Sequence, residues 1–194
     1  MDVASFLSIA RWTTPPLAHR IVDGRMHVAA AEGSDAWRTT SYGFVHDSEH
    51  ALLAPFGTQA SIEVSFLLDF TEQFDQAGLF LRVSPTTWIK AGVEVSDGVA
   101  QVGAVVTREA SDWSVAPVPE WAGRTITVRA SRSGDAVTIR ARADDEPFRL
   151  VRVAPLDPAS VVEAGLFCCA PTRAGLEVTF TGIELGEPDS ALHA

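Results

Sequence analysis

Lysine is almost missing from this chain: 14 of its 15 basic residues are arginine, and Lys90 is the single lysine in 194 residues. No run of basic residues occurs, and 25 acids leave a formal charge of −10. Nucleic-acid phosphates and anionic membrane surfaces are held by clustered Lys and Arg, so neither partner is expected. Cysteine is confined to the adjacent pair Cys168-Cys169, where a disulfide would close a strained ring and staple nothing distant. Both read as free thiols, and neither a resolving partner nor a cause for a lowered pKa is visible. No segment approaches the roughly 20 apolar residues of a membrane helix. Residues 1–10 place an acid, Asp2, and no base ahead of their short apolar stretch, unlike a secretion signal. A cytoplasmic protein is the expectation. Phosphate loops, dinucleotide fingerprints and serine-nucleophile elbows are also missing, and no cofactor is expected. His46 and His50 are four apart, but Asp47-Ser48-Glu49 between them reads as a turn in a solvated loop, where helical ligand spacing does not apply; no metal is expected.

Helical spacing is scarce too. What the chain has instead is apolar-polar alternation bounded by Gly, Pro, Asp and Ser, which predicts an all-β fold of two packed antiparallel sheets. Strands are predicted at 26–30, 61–70, 76–83, 88–95, 99–108, 124–131, 136–142, 148–153, 162–169 and 176–185, with turns at Ser96-Asp97-Gly98, Ser133-Gly134-Asp135 and Asp144-Asp145-Glu146-Pro147. Length and the 46% hydrophobic content suit one sandwich domain over 1–186, with 187–194 as a flexible tail.

Side chains alternate faces along a strand, so the central strands can be read residue by residue. Ala77, Leu79, Leu81 and Val83 make one core face, and Ile89, Ala91, Val93 and Val95 the next. A one-residue slip would put a whole apolar set into water, and a two-residue slip would set Arg82 against Lys90. The register that avoids both pairs Gln76 with Glu94, Gly78 with Gly92, Phe80 with Lys90 and Arg82 with Trp88. A type I′ turn at Asp97-Gly98 then pairs Glu94 with Gln101, Gly92 with Gly103, Lys90 with Val105 and Trp88 with Thr107. The non-core face thus carries a row of three glycines, Gly78, Gly92 and Gly103, beside polar rows. Such a row is either the floor of a ligand groove or the mark of a coiled sheet whose space is filled by other side chains.

Several stretches resemble a known family: Asp75-Gln76-Ala77-Gly78-Leu79 with Arg82, Trp88-Ile89-Lys90-Ala91-Gly92-Val93-Glu94, Val105-Val106-Thr107 and Ser111-Asp112-Trp113-Ser114. Asp35 to Phe44 and Gly165 to Pro171 extend the match, in the right order, over about 35–180. The chain is similar to domain-of-unknown-function family 1349, some of whose members are described as regulation-of-enolase proteins. The resemblance implies a concanavalin A-like (jelly-roll) sandwich and no reaction, since a shared fold does not transmit a function.

Curved sandwiches of this type often hold sugars on a concave sheet, aromatic rings stacking on the sugar and amides and carboxylates bonding its hydroxyls. The expected ligand-binding residues are Gln76, Arg82, Lys90, Glu94 and Gln101 on the sheet, with Trp37, Tyr42 and Trp113 at the rim; Trp37 and Trp113 could equally cap the core. A carbohydrate or sugar acid over the glycine row is the leading expectation. One alternative is a hydrolase or lyase using Glu94 and Lys90. Glycoside hydrolysis needs a second carboxylate, which the strand of Glu94 does not supply, leaving Asp75 and Asp112 at strand or loop ends. The other is a regulatory scaffold, possible as a homo-oligomer with this face covered.

Overall fold

Two seven-stranded sheets account for the alternation. The computed structural model describes residues 3–193, so Asp2 and the last residue of the expected tail lie outside the described residues. A short helix α1 (Val3–Ile9) precedes strands β1 (Arg11–Trp12), β2 (Ala18–Val22), β3 (Arg25–Ala29), β4 (Ala36–Arg38), β5 (Val45–Asp47), β6 (His50–Phe56), β7 (Ala60–Leu67) and β8 (Gln76–Ser84). There follow β9 (Thr87–Ser96), β10 (Val99–Arg108), β11 (Ala110–Pro117), β12 (Thr125–Ser133), β13 (Ala136–Ala143), β14 (Arg149–Pro155), β15 (Val162–Cys169) and β16 (Glu177–Gly186). One sheet runs β1-β6-β15-β8-β9-β10-β11 and the other β14-β13-β12-β7-β16-β3-β2. The pair forms a concanavalin A-like jelly-roll sandwich.

Every residue pairing read from alternation in β8, β9 and β10 is present, from Gln76 opposite Glu94 to Trp88 opposite Thr107. Asp97 and Gly98 both take positive φ, 55° and 80°, as a type I′ turn requires. The inward residues Ala77, Leu79, Leu81, Ile89, Ala91 and Val93 meet Val64, Phe66, Val128 and Ile139 of the second sheet in the main core. Cys168 packs there, whereas Cys169 faces the other way.

The outward face of the first sheet carries a second apolar cluster: Phe80, Trp88, Val105, Phe167 and Cys169 lie under Trp37 and Ala36. Trp37 arrives on a ribbon of β4 and β5, which pairs only with itself among the described strands and covers this half of the face. Ser111 Oγ accepts from the Arg38 N–H at 2.9 Å and ties the ribbon to β11, and Ser34 Oγ accepts from the Ala170 N–H at 2.9 Å and ties it to the end of β15.

Two expectations are corrected. His50 is not in a solvated loop: it is buried on β6, where its Nδ1 lies 3.0 Å from the Thr14 carbonyl and its Nε2 accepts from the Ala31 N–H. These partners fix the neutral tautomer with hydrogen on Nδ1. The described part of the expected flexible tail is tied down at Glu187, Asp189 and Leu192. Ser61 Oγ donates to the Glu187 carbonyl, Asp189 pairs with both Arg129 and Arg140, and Arg140 donates to the Leu192 carbonyl.

Candidate ligand site

The ribbon leaves the other half of the outward face open, and a cleft of about 340 Å³ lies there. Its floor is Gln76 of β8 with Lys90 and Glu94 of β9, and its polar wall is Asp35, just ahead of β4. Trp37, Tyr42, Phe44 and His46 from the ribbon, Trp113 from β11 and Phe74 before β8 make the remaining walls, closed by Gly33, Pro171 and Thr172. The volume is at the lower end of the roughly 300–1,000 Å³ of small-molecule sites.

Lys90 is 5% exposed. Its ammonium donates to Asp35 Oδ1 at 3.0 Å and to Gln76 Oε1 at 2.8 Å. Burial disfavours the charged form, but Asp35, Cys169 and Glu94 outweigh it, and the pKa of Lys90 is raised. Lys90 is therefore held as an ammonium and is no general base, which corrects the lyase alternative built on it. Asp35 Oδ1 also accepts from the Gln76 amide at 3.3 Å and the Ala36 N–H at 2.8 Å. Ser48 locks its backbone from both sides, Oγ accepting from the Asp35 N–H and N–H donating to the Asp35 carbonyl.

Glu94, opposite Gln76 and half-buried, has no hydrogen-bonded side-chain partner among the described residues. Burial, offset by Lys90 and reinforced by Asp35, pushes its pKa up to about 7. The cleft thus holds one carboxylate neutralised by an ammonium and one carboxyl that changes charge near neutrality.

The aromatic wall is continuous. Trp37 meets Trp113 edge-on at 6.2 Å and Tyr42 at 5.6 Å; Tyr42 stacks on Phe44 at 5.2 Å, and Phe44 meets His46 at 4.6 Å. Trp37 is 8% exposed and donates its indole N–H to the Thr40 carbonyl, so it both caps the second cluster and lines the cleft. Tyr42 and Trp113 are 56% and 37% exposed and form the open rim. The ribbon's tip owes its shape to positive φ at Thr39, Ser41 and Gly43.

Six of the eight expected residues thus line one cleft: Trp37, Tyr42, Gln76, Lys90, Glu94 and Trp113. Arg82 and Gln101 do not. Arg82 lies beyond Phe80, between Trp88 and Glu163 in the ladder, and its charge acts on buried Glu49. Gln101 spends its amide on the Ser96 carbonyl at 3.0 Å and borders only a dent of about 20 Å³ above Gly92 and Gly103, roughly one water's worth of space. Nor is the glycine row the groove floor. A Cβ on Gly78 would come 2.1 Å from the Ala91 carbonyl oxygen and 2.6 Å from the Gly92 Cα, and one on Gly92 would come 2.1 Å from the Ala77 carbonyl oxygen. The row exists because neighbouring backbones approach too closely for side chains, β8 and β9 at Gly78 and Gly92, and β11 at Gly103, where a Cβ would come 2.1 Å from the Ser114 carbonyl oxygen. Among the cleft residues that the sequence did not point to are the aromatic walls Phe44, His46 and Phe74 and the acid Asp35. A lone lysine on a core-flanking face was the available signal, since a buried ammonium requires a carboxylate.

Fold and cleft together define a jelly-roll sandwich with an aromatic-walled site on one sheet. The chain belongs to the family described as a protein of unknown function, DUF1349, whose sequence pattern matches residues 12–188. It is 34% identical over 188 residues to "Regulation of enolase protein 1" of Saccharomyces cerevisiae, covering 96% of this chain and 94% of that one. A crystal structure of a functionally unknown S. cerevisiae protein matches with a TM-score of 0.88 at 33% identity, over 95% of this chain and 99% of that one. A xylan β-1,4-xylosidase from Bacillus halodurans matches at 0.68 and 14% identity, over 84% of this chain but 33% of the enzyme. That likeness extends the fold to carbohydrate-active enzymes and no further. No helix among the described residues is long and apolar enough to cross a membrane.

Proposed function

We propose that the chain binds a neutral carbohydrate in the cleft between the ribbon and β9. The observation that carries the reading is the juxtaposition of a rim of exposed Tyr42 and Trp113 rings with the polar groups of Asp35, Gln76 and Glu94 in one cleft. Rings offer flat apolar faces to the C–H side of a sugar. Carboxyl and amide groups offer hydroxyls acceptors and donors within a partly dry site, where such bonds discriminate strongly. A sugar acid is disfavoured relative to the expectation from sequence. The Lys90 charge is already matched by Asp35, Glu94 adds a second acid, and Arg82 lies elsewhere.

Calorimetric titration with neutral xylo-, cello- and manno-oligosaccharides, and with glucuronic and galacturonic acids, tests this. Saturable binding of at least one neutral sugar, weakened tenfold or more by Tyr42→Ala or Trp113→Ala, supports the reading. Binding of the acids alone contradicts it.

A further inference from the structure

Asp35 and Glu94 share the cleft in different states, and that difference has a use. Asp35 Oδ1 is occupied by the Lys90 ammonium, the Gln76 amide and the Ala36 N–H, which leaves Oδ2 without a hydrogen-bonded partner among the described residues. Glu94 stands opposite Gln76 across the ladder, with Gln101 on its other side and no hydrogen bond to its carboxyl from the described residues. Both line the same walls as the rim aromatics. Resting on the carbohydrate reading above, we propose that the cleft hydrolyses a glycosidic bond, Glu94 acting as general acid and Asp35 as general base.

The step balances with water as the co-reactant. Glu94 gives its proton to the glycosidic oxygen as the bond from that oxygen to the anomeric carbon breaks. A water oxygen forms the new bond to the anomeric carbon, and Asp35 Oδ2 takes the water's proton. The product is a hemiacetal and a free alcohol, and the two carboxyls end with their protonation exchanged, to be reset by solvent. This chemistry uses two carboxyl groups facing one site, one to give a proton and one to take it, and Glu94 and Asp35 both line the cleft. Burial, with Lys90 and Asp35 the charged groups facing it, keeps Glu94 protonated up to about pH 7. Lys90 is a positioning residue: its ammonium holds the Asp35 carboxyl in place.

The test separates binding from turnover. Binding of xylo-, cello- and manno-oligosaccharides is measured on Glu94→Gln, and the sugars that bind are incubated with wild-type protein while reducing ends are quantified. Turnover by wild type that falls above about pH 7, and drops at least 100-fold in Glu94→Gln, is expected. With the matching 4-nitrophenyl glycoside, whose leaving group needs no proton, Glu94→Gln should lose tenfold or less, while Asp35→Asn loses turnover of both substrates. A sugar that binds yet is recovered intact overturns the catalytic proposal and leaves the binding reading standing. Absence of binding overturns both, and equal turnover by Glu94→Gln removes Glu94 from the chemistry.

Discussion

Lys90 Nζ lies 3.0 Å from Asp35 Oδ1 although 55 residues separate the two in the chain, and the pair is the only bridge between the sheet floor and the ribbon made by charge among the described residues of the cleft. Removing one partner of a buried pair leaves the other uncompensated, at a cost of about 3–5 kcal/mol. Lys90→Met should therefore destabilise strongly, and the Lys90→Met/Asp35→Asn double variant should lose clearly less than the sum of the singles. Urea unfolding of all four proteins measures the coupling; additive losses would show that the pair does not hold the ribbon down.

Glu94 should make stability pH-dependent in an unusual direction. Its folded pKa of about 7 exceeds its ordinary value of 4.5, so between those pH values the folded state binds a proton that the unfolded chain has released. Stability falls as pH rises through that window and levels off above it, with a ceiling of about 3 kcal/mol for a shift of this size. Glu94→Gln should match wild type at pH 4 and exceed it above pH 8. Buried Glu49, also raised by burial, is present in both proteins and cancels in the comparison. An equal urea midpoint difference at pH 4 and pH 8 would refute the shift.

The glycine row should tolerate no side chain. Gly78→Ala and Gly92→Ala force a methyl against neighbouring backbone at 2.1 Å, and each should cost upward of about 2 kcal/mol, as overpacking against an immovable wall does. Gly182→Ala on β16, whose methyl would meet only the Ser65 side chain at 3.8 Å, is the control, expected within about 1 kcal/mol of wild type. Thermal denaturation of the three separates close backbone packing from a general intolerance of alanine.

Trp37 and its neighbours should divide by role. Trp37→Ala empties the second cluster, where a lost Trp costs about 3–5 kcal/mol, so the protein should be strongly destabilised. Tyr42→Ala and Trp113→Ala, at the exposed rim, should stay within about 1 kcal/mol of wild type. Differential scanning calorimetry of the three variants checks this, and comparable melting losses at all three sites would mean that the rim is packing rather than recognition surface.

Alternation carried the reading of the sheets because each side chain of β8, β9 and β10 has only two directions to face, and one is apolar throughout. Gln76, Lys90 and Glu94 were placed on one face for that reason. The same rule is silent where both faces are covered: β6, His50–Phe56, reads as an unbroken apolar run, and it was missed. It is silent also on long-range docking. Nothing in the period of residues 35–47 reveals that they fold back across the first sheet, so neither Asp35 in the cleft nor the cover over Phe80 and Trp88 is legible. Arg82 shares a face with Lys90, but the ribbon cuts that face in two. The glycines were legible as a close approach; what approaches is the neighbouring strand.

The central claim is that the cleft between the ribbon and β9 receives a neutral sugar. Protein-observed nuclear magnetic resonance with isotope-labelled chain and the neutral oligosaccharides named above tests it most directly. The account predicts saturable shifts confined to the indole signals of Trp37 and Trp113 and the backbone of Gln76, Lys90, Glu94 and Tyr42, abolished by Trp113→Ala. Shifts centred elsewhere, or none at millimolar sugar, would contradict it.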